Sequence, residues 1–278
     1  MINEIIKISI EAGKKIMEIY ESADFGVEMK SDNSPLTLAD KAAHEVIVKG
    51  LKEKFPDVPI LSEEGSEIPY SERKNWDKFW LVDPLDGTKE FIKKNGEFTV
   101  NIALIENNKS VLGVIYAPAY DDRKESVILS GVEESNNSAS SFQHLTSRTQ
   151  YPESFTGTLY YGEMGQGAFK QYSSSNPIAI STKPKEKNLT AVKSRSHSSE
   201  DEQKVLDEFG VTDSISVGSS LKFCMVAEGK AQVYYRHGPT NEWDVGAGHA
   251  IAEAAGATID GLKYNKEIIL NSGFLIKT

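Results

Sequence analysis

Apolar side chains recur at Ile2, Ile5, Ile6, Ile10, Ile16, Met17 and Tyr20, with charged residues between them. That spacing predicts an amphipathic helix over the first twenty residues. A second helix is predicted from Leu38 to Phe55, with an apolar stripe of Leu38, Ala42, Val46, Ile47 and Leu51 and a stop at Pro56. Strand-like runs follow at 58–61, 79–82, 98–105, 111–116 and 126–129, with a hairpin loop at 106–109. Residues 131–156 are polar and Ser/Asn-rich and read as an extended surface loop. The glycines of 162–169 suggest a turn beside a sheet. After Thr182, strands at 191–192, 231–235, 268–270 and 274–276 alternate with helices at 200–209, 220–228 and 244–255. Alternation of this kind suggests an α/β layer. We expect one unit over 1–184 and a second over 185–278, with a cleft between them.

The chain has 278 residues and a net charge of -10, from 41 acidic and 31 basic side chains. At this length about three quarters of the unfolded surface is buried on folding. The acidic balance argues against a nucleic-acid polymer as partner and against a polybasic membrane anchor. Cys224 is the one cysteine, so no internal disulfide forms; its apolar helical setting reads as core. A single cysteine suits a reducing, cytoplasmic setting. Glu4, Lys7, Glu11 and Lys14 interrupt any secretory apolar run at the N-terminus. No stretch reaches the roughly 18 apolar residues of a spanning helix. Peripheral membrane contact and oligomeric state stay open.

The sharpest chemical signal is Asp83-Pro84-Leu85-Asp86-Gly87-Thr88, after the apolar run 79–82. Pro84 fixes one backbone angle and Gly87 permits a turn, so two carboxylates three apart can converge. Their repulsion calls for a positive partner, and a hard divalent cation supplies it. The alternative is an ordinary turn, since Asp, Pro and Gly are turn residues. Glu63-Glu64 follows another apolar run, and Glu242-Trp243-Asp244 opens an Ala/Gly-rich helix. Alone, the first reads as solvated charge and Asp244 as an N-cap. Three such acidic sites in one chain favour a shared role. The five histidines, at 44, 144, 197, 237 and 249, are scattered. All-oxygen ligation therefore points to Mg²⁺ or Mn²⁺ rather than zinc.

Taken together, Glu63-Glu64, residues 81–106 (LVDPLDGTKEFIKKNGEFTVNIALIE), 194–197 (SRSH), 218–225 (GSSLKFCM), 238–244 (GPTNEWD) and 246–256 resemble the inositol monophosphatase superfamily. Within it they are most similar to the bacterial 3'(2'),5'-bisphosphate nucleotidase branch. The resemblance implies a layered α-β-α-β-α sandwich with its site between the halves. It implies Mg²⁺-dependent, lithium-sensitive hydrolysis of adenosine 3',5'-bisphosphate to AMP and phosphate, and for some members of the sulfated analogue, which places the activity in sulfur metabolism.

Residue by residue, one ion would sit on Glu63, Asp83 and the Leu85 carbonyl, and a second on Asp83, Asp86 and Asp244. A third, weaker ion would be held by Glu63 and water, with Glu64 behind. Asp40 and Thr88 resemble the pair that orients and deprotonates the attacking water, although Asp40 also fits a capping box with Thr37. His197 resembles a residue lying against adenine. Ser219, Lys222 and Arg236 resemble groups facing the nucleotide, with Gly87 and Asp244 also lining the substrate site. Lys222 and Arg236 could instead be solvated charges, and His197 a surface histidine. His249 reads as packing or capping. Two other functions stay open: an inositol or sugar phosphatase on the same scaffold, and a non-catalytic Mg²⁺-dependent binding protein.

Overall fold

The computed structural model describes residues 1–22, 25–29, 35–123, 155–173, 175–195 and 200–278. His197, the expected strand at 126–129 and nearly all of the expected loop at 131–156 lie outside the described residues.

The two N-terminal helices form as expected: α1 is Ile2–Tyr20 and α2 is Leu38–Lys54. The buried face of α2 differs by one residue from the expected stripe. Ala39, Ala43, Ile47 and Leu51 point inward, and Leu38 is 48% exposed. The buried capping box lies at the start of this inner face. Thr37 is the N-cap, and Asp40 Oδ2 accepts from the Thr37 N–H at 2.7 Å and its hydroxyl at 2.5 Å.

After a short pair β1 (Glu28–Met29) and β2 (Pro35–Leu36), seven strands of the described residues form the large sheet in chain order. They are β3 (Ile60–Ser62), β4 (Lys78–Asp86), β5 (Thr99–Glu106), β6 (Lys109–Ala117), β7 (Thr158–Glu163), β8 (Gly167–Tyr172) and β9 (Ile178–Ile180). Only β3 and β4 run parallel; the other pairs are antiparallel, and 106–109 is the hairpin expected there. Two short helices, α3 (Tyr70–Arg73) and α4 (Thr88–Ile92), flank β4.

The smaller sheet takes the order β11-β10-β12-β14-β13. Its strands are β10 (Leu189–Ser194), β11 (Val211–Val217), β12 (Val233–Asn241), β13 (Thr258–Asp260) and β14 (Leu270–Lys277). The helices α5 (Glu200–Glu208), α6 (Leu221–Ala227) and α7 (Glu242–Ala254) lie between them in sequence. The two C-terminal strands expected at 268–270 and 274–276 merge into one strand from Leu270 onward, because β14 stays paired with β12 on both sides of a register shift between His237 and Thr240. β9, β11 and β13 carry mixed or exposed side chains and gave no apolar run to read.

Among the described residues, three cores define the layers. One joins α1 and α2 to one face of the large sheet, through Ile5, Ile10, Ile47, Trp80 and Ile102. The second fills the space between the sheets around α6 and α7, through Leu81, Ile115, Phe223, Ile251 and Phe274. A third, small one seats α5 on the outer sheet through Ala191, Leu206 and Val233. The result is the expected α-β-α-β-α sandwich. Strands covered on both faces are mostly apolar, and β5 is buried over all but its last residue, with Thr99 and Asn101 its buried polar exceptions.

Small residues bring α7 down onto the large sheet. A Cβ on Gly113 of β6 would lie 2.2 Å from the Ala247 carbonyl oxygen. On the other side of the helix, a Cβ at Gly248 would lie 2.3 Å from Phe223. Backbone cannot yield as a flexible side chain does. Gly113→Ala is therefore expected to destabilise the fold by about 2–3 kcal/mol through overpacking, read as a lower urea midpoint at unchanged slope.

Candidate active site

Asp83 and Asp86 lie within β4 rather than on a turn beyond it. In a regular strand, residues three apart point to opposite faces. Here Asp83 pairs with Asn101 and Asp86 with Thr99, so three steps on β4 match two on β5. The extra residue is a β-bulge, and Pro84 is tolerated in it. The bulge puts both aspartates on the same side of the sheet. The Leu85 N–H turns inward and donates to Asp83 Oδ1 at 3.1 Å. Gly87 follows with φ +90°, where a Cβ would crowd Glu97 O at 3.1 Å and Ser219 at 3.2 Å.

Glu63 is the first residue after β3, and its N–H donates to Val82 O on β4. Asp244 lies in the first turn of α7. The N-cap of that helix is Asn241, not Asp244; Asp244 Oδ2 accepts from the Asn241 N–H at 2.8 Å, closing a capping box. Glu63, Asp83 and Asp244 each bring a carboxylate oxygen within 4.8 Å of the others. They come from three well-separated parts of the chain, and Asp83 is only 1% exposed.

The electrostatics follow from that convergence. Burial, then the charges of Glu63, Asp86 and Asp244, push Asp83 well above the usual carboxylate range. Burial, with Asp86 and Glu63, does the same to Asp244. Asp86 is also raised by burial, against the pull of Lys222, the Ser219 hydroxyl and the Ser220 N–H. Oxygen-only donors with too little positive charge fit a hard divalent cation.

The opposite wall is polar and positive. Lys222 of α6 is buried, so it is not a solvated charge, and its ammonium donates to Ser219 O at 2.5 Å. Burial lowers its pKa. Ser219 takes a left-handed backbone at φ +56° and donates to Asp86 Oδ2 at 2.9 Å. Arg236 of β12 has Nη1 3.8 Å from Glu202, and its charge bears on Lys222 and Asp244. Asp40 Oδ1 accepts from Thr88 Oγ1 at 3.4 Å, and the same hydroxyl lies 3.5 Å from the Leu85 carbonyl oxygen. Glu64 is partly buried beside Glu63. His249 meets the Tyr264 hydroxyl at 2.8 Å, and Cys224 is fully buried.

Sequence reading missed the scaffold beneath this wall. Thr99 Oγ1 meets the Ser219 and Ser220 hydroxyls at 2.6 and 2.7 Å, and Ser220 donates to Asn101 Oδ1 at 2.8 Å. Glu97 accepts from the Gly218 N–H at 2.9 Å and from Arg195 at 2.7 and 2.6 Å. The available signal was the pair of polar residues, Thr99 and Asn101, in an otherwise apolar strand.

A model of the inositol monophosphatase family matches residues 1–278. The chain belongs to that family. It is 42% identical to the 3'(2'),5'-bisphosphate nucleotidase CysQ of Escherichia coli O157:H7, over 99% of both chains. Among solved structures it is similar to CysQ from Bacteroides thetaiotaomicron, at 38% identity and a TM-score of 0.76, covering 99% of this chain and 96% of that one. The inositol monophosphatase from Anabaena shares the fold at 20% identity and a TM-score of 0.67, covering 99% and 89%. No helix among the described residues is long and apolar enough to cross a membrane.

A carboxyl with a raised native pKa holds its proton more tightly when folded. Its stabilising contribution is intact below the ordinary value of about 4 and is lost as pH rises through the native one. The metal-free protein should therefore lose stability from Asp83 and Asp244 as pH rises above about 4, and saturating Mg²⁺ should restore it. Asp83→Asn should raise the metal-free melting temperature by ~2–4 °C, equivalent to about 1 kcal/mol, and abolish the Mg²⁺-induced rise. Calorimetry with and without chelator checks both.

Proposed function

We propose that the chain is a divalent-metal-dependent phosphatase that removes the 3'-phosphate of adenosine 3',5'-bisphosphate, giving AMP and phosphate. The observation that carries this reading is the acidic cluster of Glu63, Asp83 and Asp244, with buried Lys222 acting on the neighbouring Asp86, in a chain 42% identical to a named bisphosphate nucleotidase. The sulfated analogue, 3'-phosphoadenylyl sulfate, offers the same 3'-phosphate and is a second candidate substrate. Mg²⁺ is the proposed cofactor, as two or three ions, with Mn²⁺ able to replace it.

Glu63, Asp83 and the Leu85 carbonyl would hold one ion; Asp83, Asp86 and Asp244 would hold another. When bound, the ions neutralise a dianionic ester, stabilise its leaving oxygen and make water a stronger acid. The chain's own residues then position and move the proton. Asp40 Oδ2 is occupied by Thr37, so Oδ1 faces Thr88. The Thr88 hydroxyl orients the attacking water, and Asp40 Oδ1 accepts the proton through it. Oxygen adds to phosphorus in line as the P–O3' bond breaks, and the 3' oxygen takes a proton from water as it leaves, becoming the hydroxyl of AMP. Glu64 supports Glu63 from behind. Lys222, Arg236 and the Ser219 hydroxyl bind the nucleotide and its remaining phosphate, with Gly87 leaving room for the ester and His197 assigned to the adenine. These local cations explain how a chain of net charge -10 accepts a polyanion.

Phosphate release in Mg²⁺ from adenosine 3',5'-bisphosphate, its sulfated analogue, inositol 1-phosphate and fructose 1,6-bisphosphate tests the reading. Adenosine 3',5'-bisphosphate should give the highest kcat/KM; a preference for inositol 1-phosphate would overturn the assignment. Asp86→Asn should cut kcat by about a hundredfold or more with the circular dichroism spectrum intact. Arg236→Ala should raise KM for the bisphosphate about tenfold, as for a lost charge-assisted contact, and leave inositol 1-phosphate nearly unaffected.

A further inference from the structure

Glu63 and Asp244 meet from segments that approach the cluster from different sides. Glu63 opens the stretch 63–77, which includes α3 and returns into β4. Asp244 rides on the first turn of α7. Close carboxylates repel one another, so something outside the cluster must keep these segments in register before a cation arrives.

Such a connection runs through the loop 262–269. Arg73, at the end of α3, is only 4% exposed. Its Nη1 donates to Asn265 Oδ1 at 3.2 Å and to Lys266 O at 2.6 Å, and its Nη2 donates to Glu267 O at 2.8 Å. Asn265 answers through its side-chain amide, which donates to Arg73 O at 2.8 Å. The same loop then reaches α7. The N–H of Asn265 donates to Glu242 Oε2 at 2.7 Å, and that of Lys266 to Glu242 Oε1 at 2.9 Å. Glu242 is fully buried, and its own N–H donates to Ile269 O at 3.0 Å. Asn265 accepts the left-handed backbone, at φ +56°, that aims both N–H groups at the one carboxylate.

A buried cation and a buried anion are thus joined through peptide groups rather than in direct contact. Both Glu242 oxygens and the Arg73 fork are engaged, as a buried charge requires. Glu242 stands two residues before Asp244, and Arg73 lies within the segment that Glu63 begins, at the end of α3. Nothing in the proposed chemistry uses Arg73, Asn265 or Glu242.

We infer that Arg73, Asn265 and Glu242 form a positioning brace that preorganises Glu63 and Asp244 for divalent-cation binding and thereby sets the ion affinity. The inference rests on the metal-dependent reading of the site. With the brace intact, the cation meets carboxylates already gathered. With it loosened, binding must also order the 63–77 segment, so affinity falls while chemistry at saturation does not.

The test titrates Mn²⁺ alone into wild type, Arg73→Lys and Asn265→Gly, following free Mn²⁺ by electron paramagnetic resonance without substrate. Arg73→Lys keeps the charge and loses the fork. Asn265→Gly keeps the left-handed turn and the N–H to Glu242 but removes both side-chain hydrogen bonds between Asn265 and Arg73, leaving Arg73 only its bonds to the Lys266 and Glu267 carbonyls. Both should raise the Mn²⁺ dissociation constant about tenfold, as outer-shell substitutions do. The half-saturating Mg²⁺ for phosphate release should rise in parallel, with kcat at saturating Mg²⁺ within about twofold of wild type. Unchanged Mn²⁺ affinity in the variants, or a fall in saturated kcat alone, overturns the brace. Hydrogen exchange on metal-free wild type needs no variant: residues 63–77 and 262–269 should already be protected, and exchange that slows only on adding Mn²⁺ overturns the inference. Failure of wild type to bind Mn²⁺ would instead remove the metal-site reading beneath it.

Discussion

Carboxylates crowded together in a poorly hydrated space repel one another, and the architecture around this site answers that repulsion. Glu63, Asp83 and Asp244 hold oxygens within 4.8 Å while Asp83 is almost entirely buried. Left to itself such a group spreads apart or takes up protons, and the raised pKa values of Asp83 and Asp244 express the second response. The first is prevented mechanically. β3 and β4 are hydrogen-bonded neighbours, and α7 is pressed onto the same sheet through Gly113. Stability invested in the cores keeps charge concentrated where a cation would relieve it.

The sheet also solves a problem of facing. Asp83 and Asp86 would diverge on an unbroken strand, and the bulge at Pro84-Leu85 brings them to one side. Asn101 and Thr99, two apart on β5, then stand beneath them. Through Thr99 and Asn101 the large sheet reaches Ser219 and Ser220, at the entrance to α6. Lys222 follows on that helix, so the register of β4 against β5 determines where positive charge stands relative to the acidic cluster. Glu97 and Arg195 tie the same turn to the end of β10, immediately before residue 196. The acidic and basic walls are thus two ends of one polar network between the sheets.

Much of this was legible from local pattern. The periodicity of Ile5, Ile6, Ile10 and Ile16 marked α1, and continuous apolar runs marked β4, β5 and β6, because strands covered on both faces have no polar side. Thr37 and Asp40 announced a capping box, and the structure contains it. The acidic motifs identified the family because their order and spacing are distinctive. Amphipathic pattern was silent where side chains face solvent, as in β11, whose burial is mixed along most of its length.

The chain by itself determined which residues carry charge and which segments become helix or buried strand, since both depend on side-chain chemistry and on neighbours a few positions away. Tertiary structure decided what those charges do together. Asp86 lies three positions after Asp83 whether β4 is regular or bulged, yet only the bulged pairing with β5 makes them neighbours in function. Asn241 displaced Asp244 as the cap of α7 because the chain enters that helix from β12. Glu63 and Asp244 meet only because two sheets and the helices between them pack at contact distance, and distance through space has no counterpart in sequence separation.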